Sequence, residues 1–181
     1  MIGDLILVVG PSGVGKDTLL AGARDAMADD PAFVFARRDI TRDPDPDGEN
    51  HRSISQAEFD RIKAEGGYLL DWTAHGLSYG LPAALQARRE AGVHVIANGS
   101  RATLDFARAR LAPVRVVAIN APPALLRARL AARGRETTTE IEARVARAAE
   151  HIVSGADVAQ VSNDGPVAAG VAALVAALRR A

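Results

Sequence analysis

Nine residues, GPSGVGKDT at positions 10–18, constrain this chain more than any other stretch. They follow an apolar run of strand length, Leu5 to Val9, and lead into a segment of helical character from about Lys16 to Ala28. A strand that ends in a glycine-rich turn and passes into a helix is the setting of a phosphate-binding loop. Successive backbone N–H groups point inward at phosphate oxygens, and the helix presents its positive end to the same charge. Gly10, Gly13 and Gly15 allow the turn, Pro11, Ser12 and Val14 complete its backbone, and Lys16 is placed to reach the β- and γ-phosphates of a nucleotide. One position departs from the pattern. Asp17 stands where a Ser or Thr hydroxyl ordinarily holds magnesium. An acid in the first helical turn favours the helix dipole by roughly 0.3–1 kcal/mol. A carboxylate beside a triphosphate also repels it unless a cation lies between, and Mg²⁺ prefers oxygen ligands. Electrostatics therefore favours Asp17 acting on Mg²⁺, directly or through a bound water, over helix support alone, and leaves Thr18 to contact a phosphate.

Strand-length apolar runs alternate with helix-length segments through most of the chain: VHVIAN before about 101–111, VRVVAI before 123–133, and VAQVSN before a last helix ending near Arg180. Continuous β-branched runs separated by helices predict a parallel sheet buried on both faces, hence an α/β fold of three layers. At 181 residues the expectation is one domain. Two stretches interrupt the alternation. The first, about 37–80, opens with RRDITRDPDPDGENH, whose prolines and aspartates argue against a buried strand or helix, and continues into a short helix capped by Ser55 with Glu58 and stopped by Gly66 and Gly67. The second, RGRETTTE at about 133–140, is a polar connection between helices, with Thr137 and Glu140, or Thr139 and Glu142, as candidate caps. Both read as inserts on one domain.

Twenty-two basic and 22 acidic residues cancel, so the overall field gives no argument for nucleic acid or membrane binding. The absence of cysteine excludes disulfides and thiolate metal sites and fits a cytoplasmic protein. The first apolar run is too short to span a bilayer.

With the loop, both inserts and the terminal strand placed, the chain resembles the guanylate kinase group of nucleoside monophosphate kinases, and within it the ribose 1,5-bisphosphate phosphokinase branch. The resemblance runs over essentially the whole chain, on GPSGVGKDT, ITRDPDPDGENH, HGLSYG, ANGSRA, ARGRE and SNDG. It implies a P-loop kinase with a small acceptor-binding insert and an arginine-rich lid. An aspartate after the P-loop lysine is a feature of that branch. Where guanylate kinase places a serine and two arginines on the acceptor phosphate, this chain has Arg38, Arg42 and Asp45, with Thr41 also matching. Where that enzyme reads guanine with acids at a strand end, this chain has Asn98, Ser100 and Arg101; an arginine cannot accept those hydrogen bonds but suits a second phosphate. The implied acceptor therefore carries more phosphate and no purine. Asp71 takes the place of the remaining guanine-reading acid and is assigned to a sugar hydroxyl, and Tyr79 matches a tyrosine at the acceptor phosphate.

By the same resemblance Arg133 and Arg144 contact the transferring group, Arg129 lies beside the adenine or donor phosphates, and Asn163 faces the adenine edge. Arg135 and Arg147 are additional candidates. The implied reaction is ATP-dependent, with Mg²⁺, and converts ribose 1,5-bisphosphate to 5-phospho-α-D-ribose 1-diphosphate, as in phosphonate breakdown. The alternatives are a guanylate kinase with an unusual acceptor site and a guanylate-kinase-like binding module without activity. The expected partners are small molecules, ATP and a phosphorylated ribose; the sequence gives no oligomeric state.

Overall fold

The computed structural model of the chain describes residues 1–43, 49–132, 134, 137–150 and 153–180. In chain order the elements are β1 (Leu5–Val9), α1 (Lys16–Ala26), β2 (Phe33–Phe35), β3 (Asp39–Ile40), β4 (Arg52–Ser53), α2 (Gln56–Ala64), β5 (Tyr68–Ala74) and β6 (Leu77–Pro82). They continue with α3 (Leu85–Glu90), β7 (His94–Asn98), a short 3-10 turn, α4 (Leu104–Arg110), β8 (Val114–Asn120), α5 (Pro123–Ala132), α6 (Thr138–Glu150), β9 (Val158–Ser162) and α7 (Val167–Arg179). A five-stranded sheet has the order β2-β7-β1-β8-β9, with β2 parallel to β7 and β8 parallel to β9. This is the α/β fold with a parallel central sheet that the alternating runs predict. Every residue of β1 is fully buried, as a strand covered on both faces requires. Among the described residues no helix is long and apolar enough to cross a membrane.

The chain divides into two compact units, the first comprising Met1–Leu7, Ala28–Ala97 and Ala102–Val114 and the second Val8–Met27, Asn98–Arg101 and Arg115–Ala181. The first holds a four-stranded sheet of order β4-β3-β6-β5. Its hairpin β5–β6 turns at His75 and Gly76, whose φ values of 53° and 73° suit a two-residue type I′ turn. The ladder slips once, between Tyr68 and Leu70, so that Tyr68 pairs with Pro82 but Leu70 with Leu81. The insert is richer in strands than its sequence suggests. Asp39 and Ile40, in the stretch expected to exclude a buried strand, form β3 at 3% and 0% exposure. Burying the aspartate is possible because Arg52 donates to both carboxylate oxygens, at 2.8 and 2.6 Å, and the Tyr68 hydroxyl donates to one of them at 3.0 Å. The helix α2 begins as expected: the Ser55 side chain accepts from the Glu58 N–H at 3.1 Å. It stops at Gly66, with the Gly67 N–H bonded to the Ile62 carbonyl at 2.8 Å.

In the second unit α1 packs on α7, and α5 packs on α6 through Leu126, Leu130, Ile141 and Val145. Of the two caps open to α6, Thr137 with Glu140 forms, the Thr137 N–H and the Glu140 carboxylate meeting at 2.8 Å. Glu142 instead pairs with Arg127. Arg133 and Arg135 lie outside the described residues, as do residue 136 of the expected lid and Asp45 of the acidic loop.

Candidate active site

The phosphate loop stands between β1 and α1 in the second unit. Gly15 caps the helix at φ 92° and ψ 20°, a left-handed conformation that disfavours any side chain. Gly13, at φ 84°, also lies so close to Leu130 that a Cβ would be 2.8 Å from its Cδ2. Lys16 Nζ donates to the Gly10 carbonyl at 3.3 Å, across the mouth of the loop. Asp17 and Thr18 are exposed on the first turn of α1. The Asn98 side-chain amide, 8% exposed at the end of β7, donates to Asp17 Oδ1 at 2.9 Å. Among the described residues no cation is paired with this carboxylate.

Asn163, expected at the adenine edge, and Arg129, expected beside the adenine or donor phosphates, are both engaged with the loop itself. The Val14 carbonyl accepts from Asn163 Nδ2 at 2.8 Å and from Arg129 NH1 at 3.1 Å. Ser100 and Arg101 follow β7 in the same unit, and burial lowers the Arg101 guanidinium from its ordinary pKa. Arg144, on α6, is half-buried and close enough to Glu140 for its charge to help hold that carboxyl below the usual range, behind the larger effect of the Thr137 N–H.

The remaining acceptor candidates lie in the first unit, and its sheet sorts them. Arg38, 6% exposed, donates through Nε to Glu49 Oε1 at 2.7 Å and through NH2 to Oε2. Its guanidinium carbon sits 5.4 Å from the Trp72 ring centroid and 5.0 Å from that of Tyr79, and the two rings stack. Asp71 pairs across the ladder with Gly80, where a Cβ would strike the Tyr68 ring; Tyr68 in turn stacks on Phe59 of α2. Asp71 is thus on the α2 face, ion-paired with Lys63, and Arg38 and Tyr79 are on the other. Thr41 closes the β3 end by accepting the Ser78 N–H on its hydroxyl at 2.9 Å. Thr41 and Arg42 line an open groove of about 790 Å³ with Ser53, Ser55 and Gln56. Arg42 Nε is buried there with no hydrogen-bond partner among the described residues.

A family model described as an AAA domain matches residues 5–152. The ribose 1,5-bisphosphate phosphokinase PhnN of Acidiphilium cryptum is 50% identical over 98% of this chain and 93% of its own. The chain belongs to the ribose 1,5-bisphosphate phosphokinase family. A bifunctional ribose 1,5-bisphosphokinase-thymidine phosphorylase of Azorhizobium caulinodans is 48% identical over 97% of this chain, which spans about a quarter (25%) of that longer relative. In fold, this phosphokinase-family chain matches a crystal structure of guanylate kinase from Anaplasma phagocytophilum at TM-score 0.68, 17% identity, and 98% and 85% coverage of the two chains.

Three contributors to the candidate sites of this phosphokinase-family chain make contacts that no motif announces. Glu49 carries a signal only in hindsight, as an acid after a Pro-Asp loop. Asn98 departs from guanylate kinase within ANGSRA, but its contact with Asp17 bridges 81 positions. Trp72, the single tryptophan, has no motif at all.

Proposed function

We propose that the chain transfers the γ-phosphoryl group of ATP to the 1-phosphate of ribose 1,5-bisphosphate, giving 5-phospho-α-D-ribose 1-diphosphate. The observation that carries this reading is the 50% identity to the Acidiphilium cryptum phosphokinase across nearly both chains. A phosphate acceptor is already ionised near neutral pH, so the reaction requires charge neutralisation and positioning rather than a strong base. Lys16 takes the β- and γ-phosphates, the loop amides and Thr18 cradle the donor, and Arg144 with Arg133 meets the charge of the transferring group. Arg42, with a buried donor that has no partner among the described residues, is the strongest candidate for an acceptor phosphate. Thr41, Tyr79, Ser100 and Arg101 join it, and Asp71 with Lys63 reads a sugar hydroxyl. Arg38 would have to exchange Glu49 for phosphate, so its first role is to brace the aromatic pair.

Asp17 fits a magnesium ion: its carboxylate is exposed, one oxygen is fixed by Asn98, and no protein cation competes for it among the described residues. Bound with ATP, Mg²⁺ supplies charge neutralisation on the donor oxygens. Asp17→Ser is expected to raise the Mg²⁺ concentration needed for half-maximal rate; an unchanged requirement with a lowered melting temperature would leave only helix support. The whole reading is tested by coupled assays with ribose 1,5-bisphosphate and with GMP at equal concentration. Turnover of GMP at least comparable to that of the sugar would overturn it. A cytoplasmic enzyme of phosphonate breakdown is the corresponding setting.

A further inference from the structure

The double hydrogen bond on Val14 has a consequence for the loop's charge. A trans peptide is a rigid plane in which the carbonyl and the following N–H point in opposite directions. Holding the Val14 oxygen on Asn163 and Arg129 therefore aims the Gly15 N–H the other way, into the ring of donors that meets phosphate. Rotation of that one plane would replace an N–H dipole with a carbonyl dipole facing an anion. Glycine on its C-terminal side makes such a rotation sterically easy, and Gly15 already adopts φ 92°. The clamp must come from outside the loop.

Asn163 is built into place for this. Its backbone N–H donates to the Asn120 carbonyl at 2.8 Å, which fixes it beside the end of β8. Its side chain, on a residue 5% exposed, fills a slot between two glycines. A Cβ at Gly15 would lie 2.6 Å from its Nδ2, and one at Gly170 would lie 2.9 Å from its Oδ1. An aspartate of the same shape would bring acceptors alone against the Val14 oxygen.

We propose that Asn163 is a positioning residue that sets the phosphate affinity of the loop by fixing the Val14–Gly15 peptide, with Arg129 as its partner on the same carbonyl. This deepens the donor half of the function proposed above and rests on that half alone, not on the identity of the acceptor.

The test compares Asn163→Asp, which preserves shape, and Asn163→Ala with the parent chain. Binding of ATP, GTP and inorganic tripolyphosphate is measured by calorimetry, beside the melting temperature and the Michaelis constants for ATP and acceptor. The expected result is a loss of about tenfold or more in affinity for both ATP and tripolyphosphate, an unchanged ATP-to-GTP ratio and an unchanged Michaelis constant for the acceptor. A collapsed ATP-to-GTP ratio with tripolyphosphate binding intact would overturn the proposal in favour of base recognition. Unaltered binding of all three by a folded variant would overturn it in favour of packing alone. Because binding is read without turnover, failure of ribose 1,5-bisphosphate as acceptor leaves the result intelligible.

Discussion

Arg42 Nε, a buried donor with no partner among the described residues, costs folding free energy and suits a bound anion. Leaving such a group unsatisfied costs about 1–3 kcal/mol, so its removal should spare stability while harming recognition. Arg42→Met is expected to keep or raise the melting temperature and to increase the Michaelis constant for the acceptor by about tenfold or more, with that for ATP unchanged; steady-state kinetics and calorimetry decide it. Tyr68 behaves oppositely. Burial first, then its hydrogen bond and the charge of Asp39, raise its pKa from the ordinary 10.0. A raised pKa means that its contribution to folding is complete below pH 10 and declines as pH climbs beyond, where the unfolded chain ionises first. Tyr68→Phe should cost about 1 kcal/mol at pH 7, and denaturant titrations should show the gap between the two proteins narrowing above pH 10. Of these residues, the phosphate loop is legible in sequence because its parts are consecutive. The resemblance assigns Asn163 to the adenine edge, but its partner is 149 positions away, and no local pattern encodes that contact.

Elements are held by side chains that sequence patterns treat as surface. Arg89 is 1% exposed on α3 and donates to the carbonyls of Gly3, Leu111 and Pro113 at 3.1, 2.6 and 2.9 Å. One planar fork thus ties α3 to the approach to β1 and to the chain between α4 and β8, while burial lowers its pKa. Arg89→Ala would remove the side-chain donor from three carbonyls, of which, among the described residues, only that of Pro113 keeps a backbone donor, the Leu5 N–H at 3.0 Å. A loss of roughly 3 kcal/mol is expected in urea unfolding. Arg89→Lys should recover only part of it, since a point charge cannot span the fork. In a chain where all but two basic residues are arginine, nothing distinguishes this one by composition. The long parallel strands and the capped helices α2 and α6 were legible, because burial on two faces and capping pairs leave local signatures. The short strand β3 was not. Its burial depends on Arg52, which neutralises Asp39, and on Tyr68, which donates a hydrogen bond to it, both remote in sequence.

At the scale of the whole molecule, the residues proposed for the donor and most of those proposed for the acceptor fall in different units of the chain, Ser100 and Arg101 excepted. The phosphate loop, Asn163, Arg129 and Arg144 belong to the second unit, whereas Arg38, Thr41, Arg42, Asp71 and Tyr79 belong to the first. Hydrogen exchange should record this allotment. ATP with Mg²⁺ is expected to protect 10–20 and 158–165 most strongly, and ribose 1,5-bisphosphate alone to protect 37–43 and 77–82. Protection of the second set by ATP alone would contradict it. The allotment was partly visible in sequence, where the insert interrupts the strand–helix alternation, but the fold's division also takes 98–101 with the loop, which no run of residues announces.

The slip in the β5–β6 ladder bears on which genetic changes the insert can survive. Leu69 is the extra residue between Tyr68, opposite Pro82, and Leu70, opposite Leu81. Because residues 69 and 70 are both leucine, in-frame loss of either codon gives the same chain, which would leave every other cross-strand partner where it is and merely straighten the strand. Loss of any one codon from 71 to 73 would instead exchange the faces of the residues between that point and the slip, turning Leu70, Asp71 or Trp72 toward the wrong side. A deletion scan through the hairpin should therefore find one tolerated gap in an otherwise intolerant run.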